Sequence, residues 1–195
     1  MLGDAYAEVL AEGGVIAALA ETSGAGQSTS TGTWYTGDLE AVDELVACAV
    51  EQHAVDVRRI YTAGCSSGGI QAGVMAYLRS SYVAAAIPNS GGTVTQFDLE
   101  DPAHVPAIMT AHGRTGLDVV IIDFANASRV LAGDIAAQGG FAVDCDHDGG
   151  HCASPPALKN AQWQFLKDHP FGVTPEPYAS ELPASFPGYC SIIPD

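Results

Sequence analysis

The stretch Arg58-Arg59-Ile60-Tyr61-Thr62-Ala63-Gly64-Cys65-Ser66-Ser67-Gly68-Gly69 decides how the rest of the chain is read. Residues 59–63 form a short run suited to a buried strand, and after the glycines Ile70, Val74, Tyr77 and Leu78 recur at helical spacing. Between them lies Gly64-Cys65-Ser66-Ser67-Gly68, a Gly-x-Ser-x-Gly pattern. A strand that runs straight into a helix must turn sharply, and small residues two positions to either side of the serine let neighbouring backbone pass without collision. Such a turn lifts the Ser66 hydroxyl above the strand end. It also aims the next amide, that of Ser67, at the place where an oxyanion would form. The plainer alternative is a glycine-rich turn in which Ser66 only caps a helix.

Outward from this point, strand-like and helix-like segments alternate to about residue 170, the pattern of a parallel sheet covered by helices. Strands are predicted at 15–20, 59–63, 83–87, 107–111 and 141–145. Helices are predicted over 4–12 and 123–138, with another from Asp38, whose stripe is Leu39, Val42, Leu45, Val46, Ala49 and Val50. A last helix is capped by Ser154, has Pro155 in its first position and stops before Pro170. The tail, 171–195, carries five prolines and is expected to wrap the surface in extended form. With no internal repeat and no linker, the expectation is one domain over 1–195 with a three-layer α/β architecture.

A serine hydroxyl is a weak nucleophile, so the turn calls for a base elsewhere. In folds with this kind of elbow the partners follow in the order serine, acid, histidine, each on a loop after a later strand. The last loop, Asp146-His147-Asp148-Gly149-Gly150-His151-Cys152, offers His147 and His151. His151 is favoured, because the two glycines let the loop fold back toward Ser66, while His147 reads as a surface or supporting residue. His53, His104 and His169 sit at helix ends or in a loop ahead of a strand. His112 closes a strand beside Gly113, placed to support the acid loop. Asp118 follows the strand at 107–111 and is the candidate acid; Asp123 is sufficiently explained as a helix cap. Asp118 is expected to accept the Nδ1 proton of His151 and leave Nε2 free for Ser66.

Composition narrows the function classes. Seven Lys plus Arg stand against 23 Asp plus Glu, a net charge of −16, which argues against nucleic acid and against anionic membrane surfaces. No apolar run approaches the roughly 20 residues that span a bilayer. Asp144, Asp146, His147, Asp148 and His151 are metal-ligand types, but their spacing matches neither zinc sites nor an EF-hand, so neither metal nor cofactor is expected. The glycine cluster lacks the lysine of a phosphate loop. Of five cysteines, Cys145 and Cys152 bracket the histidine loop, and the expectation is a disulfide between them in an oxidising compartment; reduced, buried thiols are the alternative. Met1-Leu2-Gly3-Asp4 does not read as a secretory signal.

The stretch quoted first, together with Pro88-Asn89-Ser90-Gly91-Gly92, His112-Gly113 ahead of Asp118, the loop Asp146 to Cys152 and Phe165-Leu166-Lys167-Asp168-His169-Pro170-Phe171-Gly172, resembles the bacterial poly(3-hydroxybutyrate) depolymerase and feruloyl-esterase-like α/β-hydrolases. The resemblance implies a secreted esterase acting on small-molecule or polymeric ester substrates, polyester or aryl, with Ser66, Asp118 and His151 at the triad positions. A cytoplasmic location is the alternative. It further implies that strands preceding this chain's first helix are missing, and with them a His-Gly loop that gives the second oxyanion donor. A gap between 15–20 and 59–63 should follow, closed up by the two strands or filled by another chain, with self-association as one route, unless the sequence is an N-terminally truncated product of a longer gene. A peptidase or acyltransferase on the same scaffold, or a weak or inactive hydrolase-like binding chain, are the rival functions.

Overall fold

The computed structural model of the chain describes residues 5–20, 24–29, 34–93, 95–120 and 122–194. A five-stranded sheet runs through its centre in the order β1 (Tyr61–Cys65), β2 (Ala85–Asn89), β3 (Ala107–Gly113), β4 (Ala142–His147) and β5 (Cys190–Ile192). The first four strands are parallel, and β5 pairs antiparallel with β4. The mostly parallel α/β architecture is thus the one the sequence predicts.

Parallel neighbours need long crossovers, and helices fill them: α3 (Ser67–Leu78) leads from β1 toward β2, α4 (Phe124–Ala137) joins β3 to β4, and α5 (Pro156–Asp168) follows β4. Ala86, Ile108 and Ala142 face α3 and α4, where Tyr77, Leu131 and Ile135 are buried. Ile87, Met109, Val143 and Cys145 face the other way, against Leu158 and Phe165 of α5 and Tyr178 of the tail. Because both faces are covered, the strands read as continuous apolar runs without alternation. Full burial of a side chain such as Ile108 stabilises the fold by about 1.5–3 kcal/mol.

Strand boundaries move in one direction. β2, β3 and β4 run on to Asn89, Gly113 and His147, beyond the ends that apolarity marks, because the sheet ladder continues through polar residues at its C-terminal end. Asp123 does cap α4, accepting from the Asn126 amide at 3.1 Å. The cap of α5 is Pro155 and not Ser154. Asp38 is not the cap of α2 (Thr36–His53) but its third residue, where Oδ2 accepts from the Tyr35 amide at 2.9 Å.

Beyond the caps, three expectations fail. Residues 15–20 follow the short helix α1 (Ala5–Ala11) but form no strand; Val15, Ile16 and Leu19 are 40–42% exposed. Their apolarity suits a strand, but a strand needs a neighbour to take its backbone hydrogen bonds, and β1 has β2 on one side and no strand on the other among the described residues. The rest of the 22–37 connection lies partly outside the described residues. Second, the tail does more than wrap the surface: Tyr178 and Phe186 enter the core and Cys190–Ile192 joins the sheet. Third, the disulfides are Cys65–Cys152 and Cys145–Cys190, not Cys145–Cys152. Cys145 lies inside the sheet, opposite Cys190 in the β4–β5 register, so it cannot reach the loop that carries Cys152. Cys48 is free and exposed on α2.

Candidate active site

Loops at the C-terminal ends of β1, β3 and β4 converge, and each carries one of the candidate residues. Ser66 joins β1 to α3 with φ 58° and ψ −124°, a conformation that a side-chain-bearing residue adopts at a cost of order 1–3 kcal/mol. The turn is held by close backbone approach. A Cβ on Gly64 would collide with the Gly68 backbone, and one on Gly69 would sit 2.6 Å from the Asn89 carbonyl oxygen. The Ser66 amide donates to that same Asn89 oxygen at 3.1 Å, which ties the elbow to the end of β2. Ser67 is the first residue of α3, where an amide has no partner within the helix and the helix dipole is positive.

Asp118 is fully buried in the loop after β3. Its Oδ1 lies 2.6 Å from His151 Nδ1, and its Oδ2 accepts from the Gly113 amide at 3.1 Å. Since a carboxylate only accepts, Nδ1 of His151 carries the proton and Nε2 is left as the ring's acceptor. The Phe124 ring, at the start of α4, lies against the His151 ring with centroids 4.7 Å apart. The Phe124 amide donates to the Asp118 carbonyl at 3.0 Å, so one residue fixes the acid loop and walls the imidazole.

The Cys65–Cys152 disulfide joins the residue before Ser66 to the residue after His151. Ring nitrogen and sulfurs of Cys65, His151 and Cys152 lie within 4.8 Å of one another. The two sulfurs are bonded to each other, so this grouping does not offer a free thiolate pair to a metal. Among the described residues the Ser66 hydroxyl has no hydrogen bond to the ring. Such bonds commonly tighten only when substrate is bound.

The other acidic and histidine side chains of the last loop are dispersed. Asp144 bonds Thr110 and His112, Asp146 bonds Arg129, and Asp148 pairs with Arg114. His147 is buried, and its Nδ1 accepts from the Gly149 amide at 3.1 Å, so it shapes the loop from within. Burial, then the nearby His112 charge, hold its pKa below the ordinary histidine value. Ser90 is a residue that motif reading passes over. It is buried, has φ 39°, and its Oγ accepts from the Cys152 amide at 2.8 Å, pinning the histidine loop to the end of β2. The Ser90-Gly91-Gly92 run was its only sequence signal.

The fold is shared with solved structures of the α/β-hydrolase type, an esterase among them. Native pOPH matches with a TM-score of 0.60 at 21% identity, over 81% of this chain and 59% of its own. YahD with malic acid matches at 0.56 and 15%, over 72% and 68%, and esterase PE8 at 0.55 and 20%, over 69% and 61%. At these identities the likeness is one of fold: the chain has an α/β-hydrolase-type fold and spans 59% of the length of pOPH. The sequence matches no protein-family model and no curated protein.

Proposed function

We propose that the chain is the catalytic part of a serine carboxylic-ester hydrolase that works through an acyl-enzyme, with Ser66 as nucleophile, His151 as base, Asp118 as its orienting acid and the Ser67 amide as oxyanion donor. The observation that carries this reading is the short Asp118–His151 contact of 2.6 Å, combined with a left-handed Ser66 tethered to the same loop through Cys65–Cys152. In this scheme His151 Nε2 takes the Ser66 proton as Oγ attacks the ester carbonyl. The oxyanion of the tetrahedral adduct is held by the Ser67 amide. His151 then delivers the proton to the departing alcohol, and the acyl group stays on Ser66. Water next loses a proton to His151 and attacks the acyl-serine; Ser66 regains its proton as the carboxylic acid leaves. Asp118 offsets the imidazolium charge in both halves.

An apolar ester of polyester (polyhydroxyalkanoate-like) or aryl (feruloyl-like) type is the substrate class this reading favours. Leu117, Val119 and Val120, which flank the buried Asp118, are 54–61% exposed. They are held out by a tight turn in which Val119 bridges Asp123 and the Val120 amide donates to the Ile122 carbonyl. An aliphatic ridge on the acid loop suits an apolar acyl or aryl group. Two disulfides favour an oxidising, extracytoplasmic setting, and no helix of the described residues is long and apolar enough to cross a membrane.

The test is turnover of a short-chain aryl ester beside its amide analogue. The parent is expected to cleave the ester much faster, and Ser66→Ala to lose roughly 10^5–10^6-fold in kcat. Equal turnover by parent and Ser66→Ala would refute the reading, and faster amide cleavage would turn it toward a peptidase.

A further inference from the structure

Outside the proposed triad, His112 is fully buried at the end of β3 with both ring nitrogens engaged. Its Nδ1 lies 2.8 Å from the Gly113 carbonyl oxygen, and its Nε2 lies 3.0 and 3.1 Å from the two oxygens of Asp144. A carbonyl and a carboxylate both only accept, so both ring nitrogens must carry protons and the ring is an imidazolium. Asp144 is prepared for that charge: Thr110 Oγ1 donates to its Oδ1 at 2.6 Å, and Arg129 Nε stands 3.8 Å from its Oδ2. Burial is the largest single effect and works against the charge on His112, as does the Arg129 cation, but the hydrogen bond and charge of Asp144 together with the Gly113 carbonyl outweigh them and hold the pKa above the ordinary histidine value. The other titratable neighbour is His147 on β4.

The residue that His112 grips is the one that touches both the acid loop and the histidine loop of the proposed site. The Gly113 amide donates to Asp118 Oδ2 at 3.1 Å. A Cβ on Gly113 would meet the Gly149 carbonyl of the histidine loop and Asp118 Cβ at 3.2 Å, so there is no slack at this point. We propose that His112 is a positioning residue: through a charge-assisted bond to the Gly113 carbonyl it fixes the backbone that holds one oxygen of Asp118, and so aims the other oxygen at His151. The inference rests on the Ser66–His151–Asp118 reading. Its reach beyond that reading is a cation that touches no substrate yet sets the direction of the acid.

The ring's two nitrogens can be replaced one at a time. In His112→Asn the side-chain amide reaches the Nδ1 position and keeps a donor for Gly113, while Asp144 is left without its cation. In His112→Gln the amide reaches the Nε2 position, keeps Asp144 and loses Gly113. Positioning through Gly113 gives crossed results. His112→Gln should lose about tenfold in kcat at unchanged KM on a short-chain aryl ester, the size expected for one bond to a charged group. His112→Asn should stay within about threefold in kcat yet melt at a lower temperature than His112→Gln. If kcat follows melting temperature in both variants, or if His112→Gln keeps full kcat, His112 is only structural and the proposal falls. Should either variant fail to fold, the ring nitrogens of the parent decide by NMR at pH 7: two protonated nitrogens support the proposal, and an unprotonated Nδ1 overturns it. Ser66→Ala assayed alongside separates failure of this inference from failure of the triad, since only the latter leaves Ser66→Ala active.

Discussion

At the β4 edge of the sheet, β5 takes up the backbone hydrogen bonds, Cys145–Cys190 ties the two strands, and Tyr178 and Phe186 of the tail close over α5. At the β1 edge no strand lies alongside among the described residues, and α2 buries Leu39 while leaving Leu45 41% exposed; residues 15–20, which the sequence suits to a strand, are exposed coil. Both edges have apolar sequence available. What separates them is whether a partner segment is present to satisfy the strand's amides and carbonyls, which no local hydrophobic run can do for itself. The proposed site straddles the two regions: Ser66 stands on β1 at the open edge, whereas Asp118 and His151 belong to the closed half, and the Cys65–Cys152 disulfide bridges them.

If function depends on the closed half presenting a fixed acid and base to Ser66, the largest effect comes from Asp118→Asn. By analogy with triads in which the same change leaves the wrong tautomer, kcat should drop about 10^4-fold with little change in melting temperature. A drop below tenfold would shift attention to another acid. The disulfides sharpen the comparison next. Cys65→Ser/Cys152→Ser and Cys145→Ser/Cys190→Ser should each cost about 2–4 kcal/mol in denaturant unfolding. Only the first pair, which spans the two halves, should also lower kcat in the variant that remains folded. Equal effects on kcat would mean that the bridge is a staple and nothing more. The smallest contrast lies in burial: Ile108→Ala, in the packed sheet, should cost about 2–5 kcal/mol, and Ile16→Ser, in the exposed segment 15–20, within about 0.5 kcal/mol. An Ile16→Ser loss as large as that of Ile108→Ala would mean that residues 15–20 are covered in solution.

Much of this was legible in the sequence because the signals are local. The Ser66 turn announces itself through three glycines and a change of hydrophobic period. Asp118 and His151 follow from the order of loops after strands, and the structure brings them within 2.6 Å of each other. The disulfide partners were misread because spacing in the chain favours Cys152 for Cys145, whereas register across β4 and β5 gives it Cys190. Residues 15–20 were misread for a related reason, since apolarity reports fitness for burial but not the presence of a neighbour. Ser90 and Gly113 act through backbone contacts with distant loops, and nothing in their immediate sequence reveals those partners. The strand ends were underestimated because Asn89, His112 and His147 are polar yet buried, each paid for by a specific hydrogen bond.

The most direct measurement is reaction of the folded parent, Ser66→Ala and His151→Ala with a fluorophosphonate, followed by peptide mass spectrometry. A single adduct on the peptide containing Ser66, absent from Ser66→Ala and formed far more slowly in His151→Ala, is the expected result. An unlabelled parent, or an adduct on another residue that forms as fast without His151, would contradict the claim that Ser66 is activated by the His151–Asp118 pair.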